Sequence, residues 1–287
     1  MVQKIREKKI SFYLKEIFFH KMGDKVIVKV KSNFRYIFKA IIESMYTIVS
    51  GNSVRFIFSK KSLEIDAISD DGTVIYYVFI DTDNFNEFEC DLKDDEENIS
   101  QYDVESLYEP LKNAKKSEDI TIELTEDSVL RIGLSSKGRV ETVDIDPVEP
   151  CNIKRLTFET YNTRPRIVTS GKDFHSDCKK RLNGKKVDHL YVSSSKCTLR
   201  MDAVDTENKA IKNKYIQIGN DKISSSDETF YNLNIGTNKL IRCTCACKIS
   251  DIMKLYLGNK KPMLMKSNLG SLGTMNIYFF NDKYKNN

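Results

Sequence analysis

The residues best suited to chemistry are the thiols of "CTCAC", where Cys243, Cys245 and Cys247 take alternate positions. On a strand, alternate positions share a face, so all three thiols would point one way. A zinc site spaces its thiols by about two to four residues in turns and needs a fourth ligand. This run offers neither, so it reads as packing by small core residues. The three histidines, His20, His175 and His189, lie far apart. His175 precedes Cys178 by three residues on one expected helix, a spacing in which a base can activate a thiol. Nothing else pairs a nucleophile with a base. The expectation is a protein with no catalytic residues, no metal and no cofactor.

Binding chemistry is better represented. The 287 residues carry 46 Lys and Arg against 41 Asp and Glu, a net charge of +5. Basic residues gather in "KNAKK", "KKRLNGKK" and "NKAIKNK", and acidic ones in "DLKDDEEN", which reads as a solvated loop. Hydrophobic residues make up 40% of the chain and charged ones 30%, enough for a core and a wetted surface. No run approaches the roughly 18 apolar residues of a membrane helix. The N-terminal "MVQKIREKKISFYLKEIFFHKMGDK" lacks the apolar stretch and cleavage site of a signal peptide. Seven cysteines is an odd count, which argues for reduced thiols rather than a disulfide framework.

Four helices are expected to carry the basic residues. The first runs from Asn33 to about Met45, with Phe34, Ile37, Phe38, Ile41, Ile42 and Met45 on one stripe. The second follows "SQYDVES", capped by Ser106 with Glu109 as a capping box, Pro110 in its first turn, and Leu107, Leu111 and Ala114 inward. The third opens at "SGKDF", capped by Ser170 and Asp173, with Phe174, Cys178 and Leu182 inward. The fourth is expected over Lys248 to Leu257, with Ile249, Ile252, Met253 and Tyr256 inward. The remainder reads as short strands broken by Gly, Asp and Asn turns. "DITIELTEDSVLRIGL", "LYVSSSKCTLRMDAV" and "PMLMKSNLGSLGTMNIYFF" read as hairpins.

The order strand, helix, strands, helix, hairpin occurs before about residue 145 and again after about residue 157, with a period on the order of 140 residues. Between the two lies "DIDPVEPCNIKRLTFETYNTRP", rich in proline and without a clear period, which reads as an interdomain linker. The expected organisation is an N-terminal extension over 1–28, one domain over 29–145, a linker over 146–163 and a second domain over 164–287. The class is α+β.

In this order the chain resembles a sliding clamp of the proliferating cell nuclear antigen family. The likeness rests on "SLEIDAISDDGTVIYYVFI", "FNEFECD", "SLYEPLKNAKKSEDITIEL", "SGKDFHSDCKKRL" and the closing "PMLMKSNLGSLGTMNIYFF", and spans about Lys29 to Phe280. It implies two similar clamp domains with antiparallel sheets outside and helices lining a central channel. It also implies a homo-oligomer, typically a trimer, that encircles duplex DNA without reading its sequence. Such a ring tethers a DNA polymerase and other replication and repair proteins, and is loaded by an ATP-driven clamp loader. The expected location is the nucleus, or a cytoplasmic viral replication site, since abundant Lys, Asn and Ile suit the AT-rich genome of a large DNA virus or a parasite. The alternative is a clamp-fold protein that never closes and acts as a DNA-binding, transcription or scaffolding factor.

The resemblance gives roles to particular residues. The DNA-facing cations would be Arg35 and Lys39 on the first helix and Lys112, Lys115 and Lys116 at the end of the second. Lys172, Lys179, Lys180 and Arg181 follow on the third, and Lys248 and Lys254 on the fourth. A groove for partner peptides would be built from Ile68, Ile75, Val148, Ile153, Leu156, Pro262, Tyr278, Phe279 and Phe280. In that stretch Gly72 and Thr73 stand where the family has larger residues. Tyr278 and Phe280 would face one side of their strand and Phe279 the other, with the groove side left open by the period. Subunits would meet along two sheet edges, one with Arg139, Val140 and Val143 and the other with Tyr215, Ile216 and Ile218.

Overall fold

A computed structural model describes residues 25–33, 35–49, 53–113, 119–136, 139–148, 156, 161, 165, 167–182, 189–195, 198–204, 211–216, 229–233, 237–257 and 261–280. Residues 136, 139, 167, 181 and 182, and those described from 189 to 237, are described by backbone alone. The first half runs β1 (Val26–Ser32), α1 (Arg35–Tyr46), β2 (Ser53–Phe58), β3 (Ser62–Ile68), β4 (Val74–Asp81), β5 (Glu87–Cys90) and β6 (Asn98–Asp103). It continues with α2 (Val104–Leu111), β7 (Asp119–Thr125), β8 (Leu130–Ser136) and β9 (Arg139–Ile145). The second half runs β10 (Ile167–Thr169), α3 (Gly171–Leu182), β11 (His189–Ser195), β12 (Thr198–Val204), β13 (Ile211–Ile216) and β14 (Thr229–Leu233). It ends with α4 (Thr237–Cys247), β15 (Met253–Tyr256), β16 (Met263–Asn268) and β17 (Gly273–Phe279). β1 begins at Val26, inside the segment expected as an extension.

The described strands form three sheets, ordered β5-β1-β7-β8-β9, β10-β15-β16-β17-β4-β3-β2-β6 and β13-β12-β11-β14. The middle sheet draws on both halves. They join where β17 pairs antiparallel with β4 over seven residue pairs, from Gly273↔Ile80 to Phe279↔Val74.

Strand alternation decides which side chains meet the helices. Val74, Tyr76, Val78 and Ile80 of β4, and Met275, Ile277 and Phe279 of β17, share one buried cluster. The same cluster holds Phe38, Ile41, Ile42 and Met45 of α1 and Leu107 and Leu111 of α2. It also holds Phe174 and Cys178 of α3 and Leu240, Cys243 and Cys247 of α4. All four helices therefore share one core with the eight-stranded sheet. Ile75 and Tyr278, one residue out of phase, belong to a second cluster on the opposite face.

Three expected helix details change. α2 is capped by Asp103, whose carboxylate accepts from the Ser106 amide at 2.8 Å, so Ser106 and Glu109 already lie inside the helix. Pro110 sits near the end of α2 rather than in its first turn, where the bond it removes is one of the last. The fourth helix is Thr237–Cys247, and the segment expected as helical holds the strand β15. Met253 and Leu255 are buried while Lys254 and Tyr256 are half-buried, a period of two that the helical spacing of the apolar residues conceals. "CTCAC" is thus helical: Cys243 and Cys247, four apart, are buried, and Cys245 is exposed. The third helix keeps its expected cap, with the Ser170 hydroxyl accepting from the Asp173 amide at 3.3 Å.

Two glycines are required by their surroundings. A Cβ on Gly171 would stand 1.9 Å from the Cys247 carbonyl oxygen, so the start of α3 can approach the end of α4 only without a side chain. Gly72 has φ +68° in the β3–β4 turn, a conformation glycine adopts without strain.

Candidate nucleic-acid interface and partner groove

The outer surface of the helix layer carries the expected cations unevenly. Arg35 is only 5% exposed and leaves the proposed surface. The position is three residues before buried Phe38, and its burial comes from tertiary packing that the sequence period does not report. Lys39 donates to the Lys112 carbonyl at 2.5 Å and so caps the end of α2. Lys112 itself pairs with Glu109 at 2.5 Å, and that carboxylate holds the ammonium's pKa above its ordinary value. On α3, by contrast, Lys172, Lys179 and Lys180 are exposed, as is Lys248 just beyond α4. Lys254 lies half-buried on the strand β15 rather than on a helix. Lys115 and Lys116 lie outside the described residues, as does the side chain of Arg181.

Two cations were not anticipated, because the helix that carries them was placed too late in the chain. Arg242 is exposed on α4 and donates to the Thr47 carbonyl at 3.0 Å, bridging α4 to the end of α1. Lys239 donates to the Thr73 hydroxyl at 2.8 Å and the Ser69 hydroxyl at 3.3 Å, and pairs with Asp71. Burial pushes the Asp71 carboxyl up, but the bonds from Lys239, Ser69 and Thr73 outweigh it and hold the group well below the usual carboxylate range.

On the opposite face, apolar side chains form a lateral row. Register places Ile68 opposite Ile75, Ile75 opposite Tyr278, Tyr278 opposite Leu264, and Leu264 opposite Tyr256. The row crosses β3, β4, β17, β16 and β15 without a polar interruption. Leu156 is buried in the same cluster, with Tyr161 and Phe280 packed against it. Tyr161 meets Tyr256 at 5.8 Å with the two rings tilted by 52°, lies under the Lys261 ammonium at 5.5 Å, and donates its hydroxyl to the Pro262 carbonyl. Burial pushes the Tyr278 phenol up to about 12.

Of the residues expected here, Ile68, Ile75, Leu156, Tyr278 and Phe280 meet in this cluster, and buried Pro262 adjoins it through Tyr161. Phe279 does not: it points to the helix side and is fully buried in the main core. Val148 is exposed, and its amide bonds Gln101 on β6, at the far edge of the sheet. Ile153 lies outside the described residues. Leu264, Tyr256 and Tyr161 were missed, although pairing the closing hairpin in register would have put Leu264 beside Tyr278.

Both expected edges are terminal strands of their sheets: β9 ends the five-stranded sheet and β13 the four-stranded one. On β9, Val140 is 70% exposed and Val143 is also exposed. Tyr215 and Ile216 lie on β13 by backbone, the side chain of Arg139 is not described, and Ile218 lies outside the described residues. Burial pushes the Cys243 thiol up to about 12 and the Cys247 thiol up to about 11, away from the reactive thiolate. Among the described residues no three His, Cys, Asp or Glu side chains could hold a metal, and no helix is long and apolar enough to cross a membrane.

A helix layer on one face, an apolar row on the other, and sheets that end in β9 and β13 among the described strands make up this fold. The crystal structure of proliferating cellular nuclear antigen from Entamoeba histolytica matches with a TM-score of 0.71 at 15% identity, over 89% of this chain and 98% of that chain. The chain therefore has the fold of a divergent clamp of that type. No protein-family model matches the sequence, and no curated protein does.

Proposed function

We propose that this chain is the subunit of a DNA sliding clamp, a processivity factor without an active site. Three such subunits would close head to tail, β9 of one against β13 of the next, with the helix layer turned to the DNA. Two domains, over 29–145 and 164–287, would each supply one of those edges. Lys172, Lys179, Lys180, Arg242 and Lys248 would meet phosphates without reading bases, so the ring could slide. The row from Ile68 to Tyr256 would receive peptides of DNA polymerase and other replication and repair proteins, once a clamp loader had closed the ring on duplex DNA. Such work belongs in the nucleus or at a viral replication site.

The observation that carries this reading is β9, which ends its sheet among the described strands and carries two exposed valines, in a chain that covers 98% of the matched clamp. An open apolar edge is an aggregation hazard unless another strand covers it. Sedimentation of the wild type is expected to give a trimer and Val140→Glu a folded monomer. A wild-type protein that stays monomeric at micromolar concentration would overturn ring closure and favour a clamp-fold DNA-binding or scaffolding factor instead.

A further inference from the structure

The helix layer holds a cleft of about 360 Å³ between α1, α3 and α4. Its volume lies within the roughly 300–1,000 Å³ of small-ligand sites. Tyr36, Ile241 and Ile249 give it an aromatic and aliphatic wall. Lys179, Arg242 and Lys248 give it three exposed cations, against the single carboxylate of Glu43. Arg242 spends one nitrogen on the Thr47 carbonyl, and its guanidinium has further N–H donors to offer.

His175 also lines the cleft and is only 7% exposed. Its Nδ1 stands 2.9 Å from the Thr244 hydroxyl, which itself donates to the Ile241 carbonyl at 2.9 Å. The hydroxyl's proton is thereby committed, so Nδ1 is the donor of that pair. The neutral ring then keeps its acceptor at Nε2, on a side chain that lines the cleft. Cations beside an apolar wall and a buried acceptor suit a ligand with a phosphate, a flat ring and an N–H or O–H donor. An inorganic phosphate would leave most of the volume to water.

We propose that this cleft binds a nucleoside phosphate, its phosphate held by Lys179, Arg242 and Lys248 and its base seated against Tyr36. The ligand is either a free nucleotide or one nucleotide unit of a single strand. Binding here does not depend on ring closure, because all the residues come from one chain.

Cys245 is exposed on the cleft wall and reports occupancy. The experiment follows its alkylation by iodoacetamide through peptide mass mapping, with half-buried Cys90 on β5 as the reference thiol. Adenosine monophosphate at several times its Kd is expected to slow Cys245 roughly fivefold and leave Cys90 unchanged. Adenosine or inorganic phosphate at the same concentration protects far less. The pair Lys179→Ala and Arg242→Ala, both at exposed positions, is expected to weaken protection by about tenfold in concentration. Stronger protection by a thymidine tetranucleotide than by the monophosphate identifies a single strand as the source, and the reverse identifies a free nucleotide. No protection by either, equal protection by inorganic phosphate, or protection that survives the double substitution overturns the proposal.

Discussion

The two helix pairs occupy equivalent places in a repeated element order, and they differ in what they do with positive charge. In α1 and α2, Arg35 is buried, Lys39 is bound to the Lys112 carbonyl, and Lys112 is paired with Glu109. In α3 and α4, Lys239 is paired with Asp71 and Arg242 gives one bond to the Thr47 carbonyl, but Lys172, Lys179, Lys180, Arg242 and the adjoining Lys248 stand exposed. Inward, the pairs are alike, with Phe38 and Phe174 each 1% exposed. Repetition has kept the packing face and let the solvent face diverge. A basic residue counted in the sequence is thus not yet a cation offered to a partner.

The inner likeness is tested by truncation. Phe38→Ala and Phe174→Ala are each expected to cost about 3–5 kcal/mol in chemical denaturation. A cost in one pair several times that in the other would mean that the halves do not share one core. The outer difference is tested by charge. Reversing Lys179, Arg242 and Lys248 to Glu is expected to flatten the log–log salt dependence of duplex binding by about 2.7, at about 0.9 per phosphate contact. Reversing Lys39 and Lys112 is expected to change that slope little. Equal loss from both sets would erase the distinction between the pairs. The smallest effect concerns pH. Burial, then Lys248 and Lys179, lower the His175 pKa from 6.5 to about 4. The folded state therefore favours the neutral ring. That contribution is complete above pH 6.5 and is lost as pH falls toward 4. Urea midpoints measured across this window should decline, and His175→Gln should remove part of the decline. An unchanged slope in the variant would assign it to other groups.

Much of the fold was legible because its signals are large side chains at regular spacing. Phe38, Ile41, Ile42 and Met45 mark α1, and the hairpins around "TEDSV" and "NLGSLG" declare themselves by turn chemistry. α4 was misplaced for a physical reason. Its buried face is Leu240, Cys243, Thr244 and Cys247, mostly small side chains that score weakly as apolar yet suit the close approach of α3 at Gly171. The next segment has larger apolar residues and drew the helix toward itself. The groove was half legible. Period two separates Tyr278 and Phe280 from Phe279, but all three are apolar, so only packing decides which side faces the helices. Arg35 shows the opposite limit, since a charged residue can be buried by its neighbours without any mark in the local pattern.

The continuous eight-stranded sheet has a mechanical consequence. Because β17 lies against β4 over seven residue pairs, the two halves are joined by backbone bonds and shared core, independently of the chain between 145 and 164. A protease cut in that stretch would leave two fragments that still travel as one body and could be reassembled from separately expressed halves. Leu156 and Tyr161 from that stretch pack on the face of the sheet away from the helices, over strands of both halves.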